Sequence, residues 1–347
     1  MSRPTSRTSH AQGGLCATPF GVDLEDGPPP FPSDRPLPVG TIAPVWHGPS
    51  VPFSHACTPM TLRTLAPTGA LLLALVVAGC DSSDTTSSDP ATVRLDVQTM
   101  ADGADLAAGQ PFAVNGTTGQ LDIAHLYLSG ITLLHEDGRE IMVMADEPVT
   151  VRAKDDADTD IQHTLDQRYV LVDADAGRQP TTLGEVPSGR YTGVRMLLGV
   201  QGLDNRIAPE DAPVDHPLAP QTPSMHWNWN AGFVFLRLDG LLDIDGDGAV
   251  DAATDTPGDP ASGQWRLHVG LSPNATTVTL DQDFELMGGQ MQDLHVMLDL
   301  GRLVQGIDYA DPANRFCMTG GCQGVVDQAT ANAQTAFTLQ GVRGLDM

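Results

Sequence analysis

The pattern that most constrains this chain is a series of short stretches in which apolar and polar residues alternate, separated by turns rich in Gly, Asp and Pro. Alternation with a period of two puts one set of side chains on each face of a β-strand. Residues 93–98 (VRLDVQ) are the first clear example, and the sequence contains no long amphipathic helical pattern. It therefore predicts an all-β domain, an antiparallel β-sandwich or barrel-like domain with long loops.

The same pattern places further strands and the loops between them. Strands are predicted at residues 121–134, 140–144, 168–173, 190–200, 264–271, 276–280, 283–286 and 294–300, and a core strand from residue 233 ends at a predicted turn, Asp239-Gly240. A bend or bulge is predicted at Ser129-Gly130 and a hairpin at residues 135–138. Residues 106–119, 183–189 and 204–222 are predicted loops or connectors, and residues 327–336 a short helix.

Residues 61–80 (TLRTLAPTGALLLALVVAGC) have the pattern of a lipoprotein signal peptide. Arg63 supplies the positive charge, residues 69–77 form an apolar segment too short for a comfortable membrane span, and small residues precede Cys80. We predict a signal peptide over residues 60–80, lipidation at Cys80 and a polar tether over residues 81–90. Acyl chains stabilise attachment by about 0.8 kcal/mol per buried CH2, so this anchor would hold the protein on a membrane.

The segment before the signal peptide differs from the rest of the chain. Residues 1–59 hold 12 of the 27 prolines and little apolar patterning, so we expect a disordered or non-native extension. The β domain is predicted over residues 91–347. Residues 1–79 carry 4 basic and 4 acidic residues, so the mature chain keeps the formal charge of -26. This charge argues against nucleic acid and against anionic membrane surfaces as direct partners.

Two cysteines remain in the mature chain besides Cys80. Cys317 and Cys322 lie in FCMTGGCQG and enclose a loop of 6 residues. An exported protein permits a disulfide, and a loop of this length gives roughly 2 kcal/mol of stabilisation in the chain-entropy model. The alternative is a soft-metal site that includes Met318.

The stretch MHWNWNAGFVFLRLDG, residues 225–240, holds two of the four tryptophans of a chain that is poor in aromatic residues. On a strand, Trp227 and Trp229 would lie on one side, and His226 and Asn228 on the other. Such a cluster is either a dense part of the core or a functional site, and we favour a site.

Histidines near this stretch provide candidate metal ligands. Imidazole is a common ligand of copper and zinc. His268, in WRLHVG, shares a predicted strand face with Arg266 and could meet His226 across a sheet, and His216 lies in the predicted loop before them. The alternative is that these are separate, hydrogen-bonded histidines.

An acidic turn follows the tryptophan stretch. Its spacing follows positions 1, 3, 5, 7 and 9 of a calcium loop, with glycine at position 6. The ligands would be Asp243, Asp245, Asp247, the Ala249 carbonyl and Asp251. Thr254 stands where the EF-hand requires glutamate, and a strand precedes the loop. We therefore predict a calcium-loop-like turn with a structural role, with a solvated acidic loop as the alternative.

Other signals for chemistry are weaker. Thioethers can bind Cu(I), but scattered methionines are more often core residues; the candidates are Met225, Met287, Met291, Met297 and Met318. The sequence has no nucleophile elbow, P-loop or zincin helix, and neither Ser129 nor Ser188 has an evident base nearby.

The order of these motifs resembles that of a known family. A strand like HLYLSGITL and a DG hairpin are followed by RYVLVD, VPSGRYTGVRMLLGV, HPL, MHWNWNAGFVFLRLDG, WRLHVG and CMTGGC. This order is similar to that of the MbnP-like periplasmic copper-binding proteins, also called metallo-mystery pair proteins with a Cys motif. The resemblance extends over residues 91–345, and MHWNWNAGF and LHVG are its most specific parts.

The resemblance implies an exported all-β protein whose partner is a di-haem protein of the cytochrome c peroxidase/MauG type. It further implies that this partner oxidises a tryptophan to kynurenine, whose aniline nitrogen ligates copper together with two histidines. The matching positions are His226 and His268 as ligands, Trp227 or Trp229 as the modified residue, and His216 and His125 in reserve. The resemblance also implies a motif of four cysteines, of which only Cys317 and Cys322 have counterparts here.

The signal-peptide pattern together with the resemblance predicts a copper-binding lipoprotein of the bacterial cell envelope, anchored in the outer membrane on its periplasmic or surface side, and not an enzyme. The alternative is a calcium-stabilised β-sandwich lipoprotein for adhesion or ligand binding, in which the tryptophans and histidines belong to the core. A hydrolase on a β-scaffold is a third possibility, for which no nucleophile–base pair is visible.

Overall fold

Strands make up most of the structure, as the alternating pattern predicts. The computed structural model describes residues 89–174, 176–248, 250, 263–318 and 321–344, which belong to one compact unit. The predicted extension, the signal peptide, Cys80 and residues 81–88 of the tether lie outside the described residues. So do Ala249 and Asp251 of the acidic turn.

The strands are β1 (Ala91–Ala101), β2 (Ala104–Asp105), β3 (Pro111–Val114), β4 (Thr117–His135), β5 (Glu140–Met142), β6 (Met144–Lys154), β7 (Asp160–Gln167), β8 (Val170–Asp173), β9 (Thr181–Val186), β10 (Gly189–Leu198), β11 (His226–Asn228), β12 (Gly232–Leu242), β13 (Gln264–Gly270), β14 (Thr276–Leu286), β15 (Met291–Asp299), β16 (Phe316–Met318) and β17 (Phe337–Gly344). Two α-helices, α1 (Leu300–Leu303) and α2 (Gln323–Ala336), and short 3-10 turns complete the described elements.

Among the described residues, the strands form two large open sheets and one small hairpin sheet. The five-stranded sheet has the order β17-β15-β1-β2, with β9 beside β1. The larger, ten-stranded sheet has the order β14-β10-β4-β12-β13-β16. Strands β3, β5, β8 and β11 pair along β4 and β12, and β6 pairs with β7. Apolar side chains from both large sheets form one core, which includes Leu95, Leu126, Trp265 and Val296. The all-β prediction is confirmed.

Strand β1 follows the predicted alternation with one exception. Val93, Leu95 and Val97 are buried, as expected for the apolar face. Asp96 is buried as well, and its carboxylate accepts a hydrogen bond from the guanidinium of Arg178, with 3.0 Å between Nε and Oδ1. A buried carboxylate requires such a partner to offset its desolvation.

Strand β4 contains the irregularity predicted at Ser129-Gly130. Gly130 has φ 55°, a left-handed conformation that glycine adopts without a steric penalty. The register between β4 and β10 shifts at this point, between Arg195 and Leu197. The bulge allows β4 to pair with β12 through its first half and with β10 through its second half.

The structure corrects several local predictions. Residues 111–114 form strand β3 inside the predicted loop 106–119, and residues 183–186 of the predicted connector 183–189 belong to strand β9. Residues 276–286 are one strand, β14, not two. Two strand pairs, β1 with β15 and β13 with β16, are parallel, so the sheets are mixed instead of purely antiparallel.

Strand β16 forms one edge of the larger sheet. A disulfide joins Cys317 of β16 to Cys322, which confirms the predicted pair. Helix α2 begins directly after it and buries Val326, Ala329 and Ala333, in agreement with the predicted short helix. Among the described helices, none is both long and apolar enough to cross a membrane.

Candidate metal centre

The segment that carries the two tryptophans is a hairpin, β11–β12, held by a buried asparagine. The side chain of Asn205 accepts a hydrogen bond from the backbone N–H of Phe233 at 2.8 Å and donates to Ser272 Oγ at 3.2 Å. Gly232, with φ 73°, packs against Asn205 so closely that an added Cβ would lie 2.3 Å from its carbonyl oxygen. The hairpin is therefore fixed to the long loop that precedes it.

His226 is half-buried and packs against the ring of Phe233, with 4.9 Å between the ring centroids. It lines a pocket of about 160 Å³ together with Tyr127, Glu210 and Ser224. Its Nε2 is buried and has no hydrogen-bond partner among the described residues. Burial lowers the pKa of His226, although Glu210 opposes the shift, so the neutral imidazole is favoured.

Trp227 lies against β13. An ideal Cβ added to Gly270 would come within 2.4 Å of Cζ3 and 2.9 Å of Cη2 of the Trp227 ring. The indole therefore packs directly on the backbone of β13. Gly270 follows His268 by two residues on this strand, so the two positions share a face of the sheet.

Trp229 has different surroundings, which corrects the prediction that strand alternation governs both tryptophans. Strand β11 ends at Asn228, whose side-chain oxygen accepts hydrogen bonds from the backbone N–H groups of Asn230 and Ala231. Trp229 thus lies in the turn. The Nζ of Lys154, at the end of β6, is 5.9 Å from its ring centroid.

His268 is buried and forms a hydrogen bond with a carboxylate on the neighbouring strand. Its Nε2 lies 2.6 Å from Oδ1 of Asp239 on β12. The other carboxylate oxygen of Asp239 accepts from Nε of Arg237 at 2.7 Å, and Arg237 also donates from Nη1 to the carbonyl oxygen of Ser224 at 2.7 Å. A chain of hydrogen bonds therefore connects His268 to the segment just before His226.

Burial would by itself raise the pKa of Asp239, but the hydrogen bonds from His268 and Arg237 outweigh it and lower the pKa. Asp239 is therefore ionised at neutral pH. An ionised carboxylate accepts a hydrogen bond from the Nε2–H group of His268 and thereby orients the imidazole ring with Nδ1 on its opposite side.

The reserve histidines have other partners. Arg237 of the central strand β12 lies opposite His125 of β4 on one side and opposite His268 of β13 on the other. Arg237 therefore separates the two histidines. His125 Nε2 is 3.2 Å from Asp173. The Nδ1 of His216 accepts from the backbone N–H of Leu218 at 3.1 Å, and its neutral ring then carries the proton on Nε2.

The acidic turn brings its described carboxylates together. Asp243, Asp245 and Asp247 offer oxygens that all lie within 4.8 Å of one another, and among the described residues no other group of three His, Cys, Asp or Glu side chains meets this condition. Both carboxylate oxygens of Asp243 accept backbone hydrogen bonds, from Gly246 at 2.7 Å and Gly248 at 2.9 Å. The turn is thus ordered around Asp243.

The candidate methionines are dispersed. Met287, Met291 and Met318 are exposed, whereas Met225 is buried in the core. Met318 pairs with His268 across β16 and β13, one residue from the disulfide. Of the two serines considered above, Ser129 is buried, and its hydroxyl donates a hydrogen bond to the Gly199 carbonyl oxygen at 2.7 Å.

Asp239 and Arg237 are not predicted as site residues from the sequence, because Asp239-Gly240 is a typical turn dipeptide. The available signal was the alternation of Arg237 and Asp239 between apolar residues, which places two opposite charges on one face of a buried strand. Asn205 and Lys154 were also missed, and no local pattern identifies either of them.

Comparisons with known proteins identify the family of this chain. The MbnP family model matches residues 90–319, which is more than half of the chain. MbnP from Methylosinus trichosporium, a solved structure, has 20% sequence identity and a TM-score of 0.46, and the match covers 74% of this chain and 99% of that one. No curated protein matches the chain. On the match to the family model, the chain belongs to the MbnP family.

Proposed function

We propose that this protein is an exported, lipid-anchored copper-binding protein of the cell envelope. Its copper ligands would be His226, His268 and the aniline nitrogen of a kynurenine formed from Trp227. A di-haem protein of the cytochrome c peroxidase/MauG type would act as the oxidising partner. The protein itself would be the substrate of that partner and have no catalytic activity of its own.

The observation that carries the proposal is the buried Nε2 of His226, which has no hydrogen-bond partner among the described residues. A buried nitrogen without a partner is costly, and in a native protein it calls for an explanation. A neutral imidazole with an unshared lone pair suits copper, and burial favours the neutral form of His226.

His268 supports the same proposal through its hydrogen bond to Asp239. Histidines that bind metals generally donate their second ring N–H to a carboxylate or a carbonyl oxygen, which orients the ring. Asp239 provides this group at 2.6 Å, and Arg237 holds the carboxylate in turn. His268 would accordingly ligate through Nδ1.

Trp227 is favoured over Trp229 because its ring packs on Gly270, close along β13 to His268. An indole has no good ligand atom, since its nitrogen lone pair belongs to the aromatic system. Opening the ring to kynurenine creates an aniline nitrogen that can bind a metal.

The test is the copper content of the mature protein purified from its native envelope. We expect close to one copper per chain in the wild type and loss of copper in His226→Ala and His268→Ala. His135→Ala is the matched control, because His135 lies in the β4–β5 hairpin and pairs with Asp137 at 2.8 Å. Folded His226→Ala and His268→Ala variants that retain copper would refute the ligand assignment.

A second proposal, calcium binding at the acidic turn, rests on the three carboxylates within 4.8 Å of one another. Oxygen ligands at this spacing suit calcium, and the expected role is structural, with an affinity of about 10⁻⁴–10⁻³ M as in extracellular modules. If calcium stabilises the fold and copper does not bind, the protein is instead a calcium-stabilised adhesion or ligand-binding lipoprotein.

A further inference from the structure

Lys154 distinguishes the two tryptophans of the hairpin. It is the only lysine of the chain, and its Nζ lies 5.9 Å from the centroid of the Trp229 ring, within the range of a cation–π contact. Asp160 fixes the ammonium at 2.9 Å, and this hydrogen bond raises the pKa of Lys154, so the cation is present at neutral pH.

Trp227 has no comparable cation among the described residues. The described cation–π contacts are Lys154 with Trp229 and Arg266 with Phe316. Trp227 instead packs on Gly270, where an added Cβ would also lie 2.7 Å from the backbone oxygen of Phe233. Both indoles are half-buried, so they differ in the cation beside Trp229 and not in their class of solvent exposure.

We propose that Lys154 determines the site of oxidation by protecting Trp229, so that Trp227 is the residue converted to kynurenine. This inference rests on the proposed function. Removal of the first electron places a positive charge on the indole ring. An ammonium close to Trp229 opposes that charge, whereas it stabilises the uncharged ring.

The conversion balances with hydrogen peroxide as the oxidant and a peroxidase-type di-haem protein as the electron acceptor. The first electron passes from the indole to the haem, and the indole N–H proton passes to water. Over the whole reaction, four electrons and the C2–C3 bond are lost, two peroxide molecules are reduced to water, and the ring receives two oxygen atoms to give N-formylkynurenine. One water molecule then hydrolyses it to kynurenine and formate.

The first experiment needs no partner. Full-length wild type, Lys154→Met and Lys154→Arg are treated with hexachloroiridate(IV), an outer-sphere one-electron oxidant, and peptide mass spectrometry measures oxidation at each tryptophan. We expect oxidation of Trp229 relative to Trp227 to rise about tenfold in Lys154→Met. A lone unit charge at this distance near a protein surface corresponds to roughly a hundredfold, and the Asp160 carboxylate that pairs with the ammonium reduces the effect. Lys154→Arg keeps the cation and should stay within about twofold of the wild type.

Trp265 provides an internal control, because it is fully buried and should remain unmodified in every folded sample. An unchanged ratio in Lys154→Met would overturn the proposal. An equal rise in Lys154→Met and Lys154→Arg would also overturn it, since packing and not charge would then be responsible.

The second experiment uses the same variants expressed in the native cells. We expect kynurenine at Trp227 alone in the wild type and at both positions in Lys154→Met. Kynurenine confined to Trp227 in Lys154→Met would overturn the role of Lys154. Absence of kynurenine from the wild type would overturn the proposed function, and the ratio measured with the chemical oxidant would still decide the effect of Lys154 separately.

Discussion

Gly270→Ala provides a sensitive test of the position of Trp227. Gly270 ends β13 and has no positive φ, so an alanine is compatible with its backbone and any cost is steric. The new methyl group would lie 2.4 Å from the Trp227 ring and 2.7 Å from the backbone oxygen of Phe233. Both distances are well below a van der Waals contact, so the ring must move and β12 must adjust.

Overpacking of this kind typically costs about 1–3 kcal/mol of the free energy of unfolding. We expect Gly270→Ala to lie towards the upper end, because one of the two close atoms belongs to the backbone. Gly324→Ala is the matched control, since Gly324 lies in α2 with no atom within 4 Å of an added Cβ. Alanine there should be neutral or should stabilise the helix by up to about 1 kcal/mol.

The assay is urea denaturation followed by far-ultraviolet circular dichroism, with and without Trp227→Leu. The cost of Gly270→Ala should fall by at least about 1 kcal/mol in the Trp227→Leu background, because the indole is then absent. A cost below about 0.5 kcal/mol, or one that is the same in both backgrounds, would refute the packing of Trp227 on β13.

Three further predictions concern other parts of the fold. Cys322→Ser should lower the free energy of unfolding by about 2 kcal/mol, and the same loss should follow reduction of the wild type in a denaturation experiment. Calcium should raise the melting temperature of the wild type but not of Asp243→Asn, and a chelator should reverse the rise; no difference between the two would exclude a calcium site there. Burial and two arginines lower the pKa of His295, so the unfolded chain binds more protons, and stability should fall as the pH drops below about 6.5. His295→Gln should show a shallower pH dependence, and an unchanged slope would contradict this origin.

Local patterns predicted the strands well because burial acts on each strand separately. In β13, alternation correctly placed Trp265 and Leu267 in the core and Arg266 on the other face. The same logic gives no information on which strands become neighbours. The parallel pairing of β1 with β15 joins residues about two hundred positions apart, such as Val97 and Val296, and no local signal encodes it.

The sequence singles out His226 and His268 as candidate ligands, and this assignment stays a prediction, but no local pattern indicates the groups that hydrogen-bond to His268. Asp239-Gly240 is a typical turn dipeptide, yet the strand continues through it. Gly240 is needed because β4 approaches closely: an added Cβ would lie 2.0 Å from the carbonyl oxygen of Gln120. Asp239 remains in the strand and forms a hydrogen bond with His268. This role depends on the tertiary structure and not on the turn propensity of the Asp-Gly dipeptide.

The tryptophans illustrate the same limit. Alternation would have placed Trp227 and Trp229 side by side, but the Asn228 side chain caps a turn and ends the strand between them. Trp229 then comes close to Lys154, which is 75 positions earlier in the chain. The sequence identifies the stretch as unusual, and only the fold separates its two indoles.

Copper-edge X-ray absorption spectroscopy of the mature protein from its native envelope tests the proposed copper site itself. We expect bound copper with only nitrogen or oxygen neighbours and the multiple scattering of two imidazoles, reduced to one in His268→Ala if any copper remains. Sulfur neighbours from methionine or cysteine, or copper without imidazole scattering, would contradict a site built from His226, His268 and a modified Trp227.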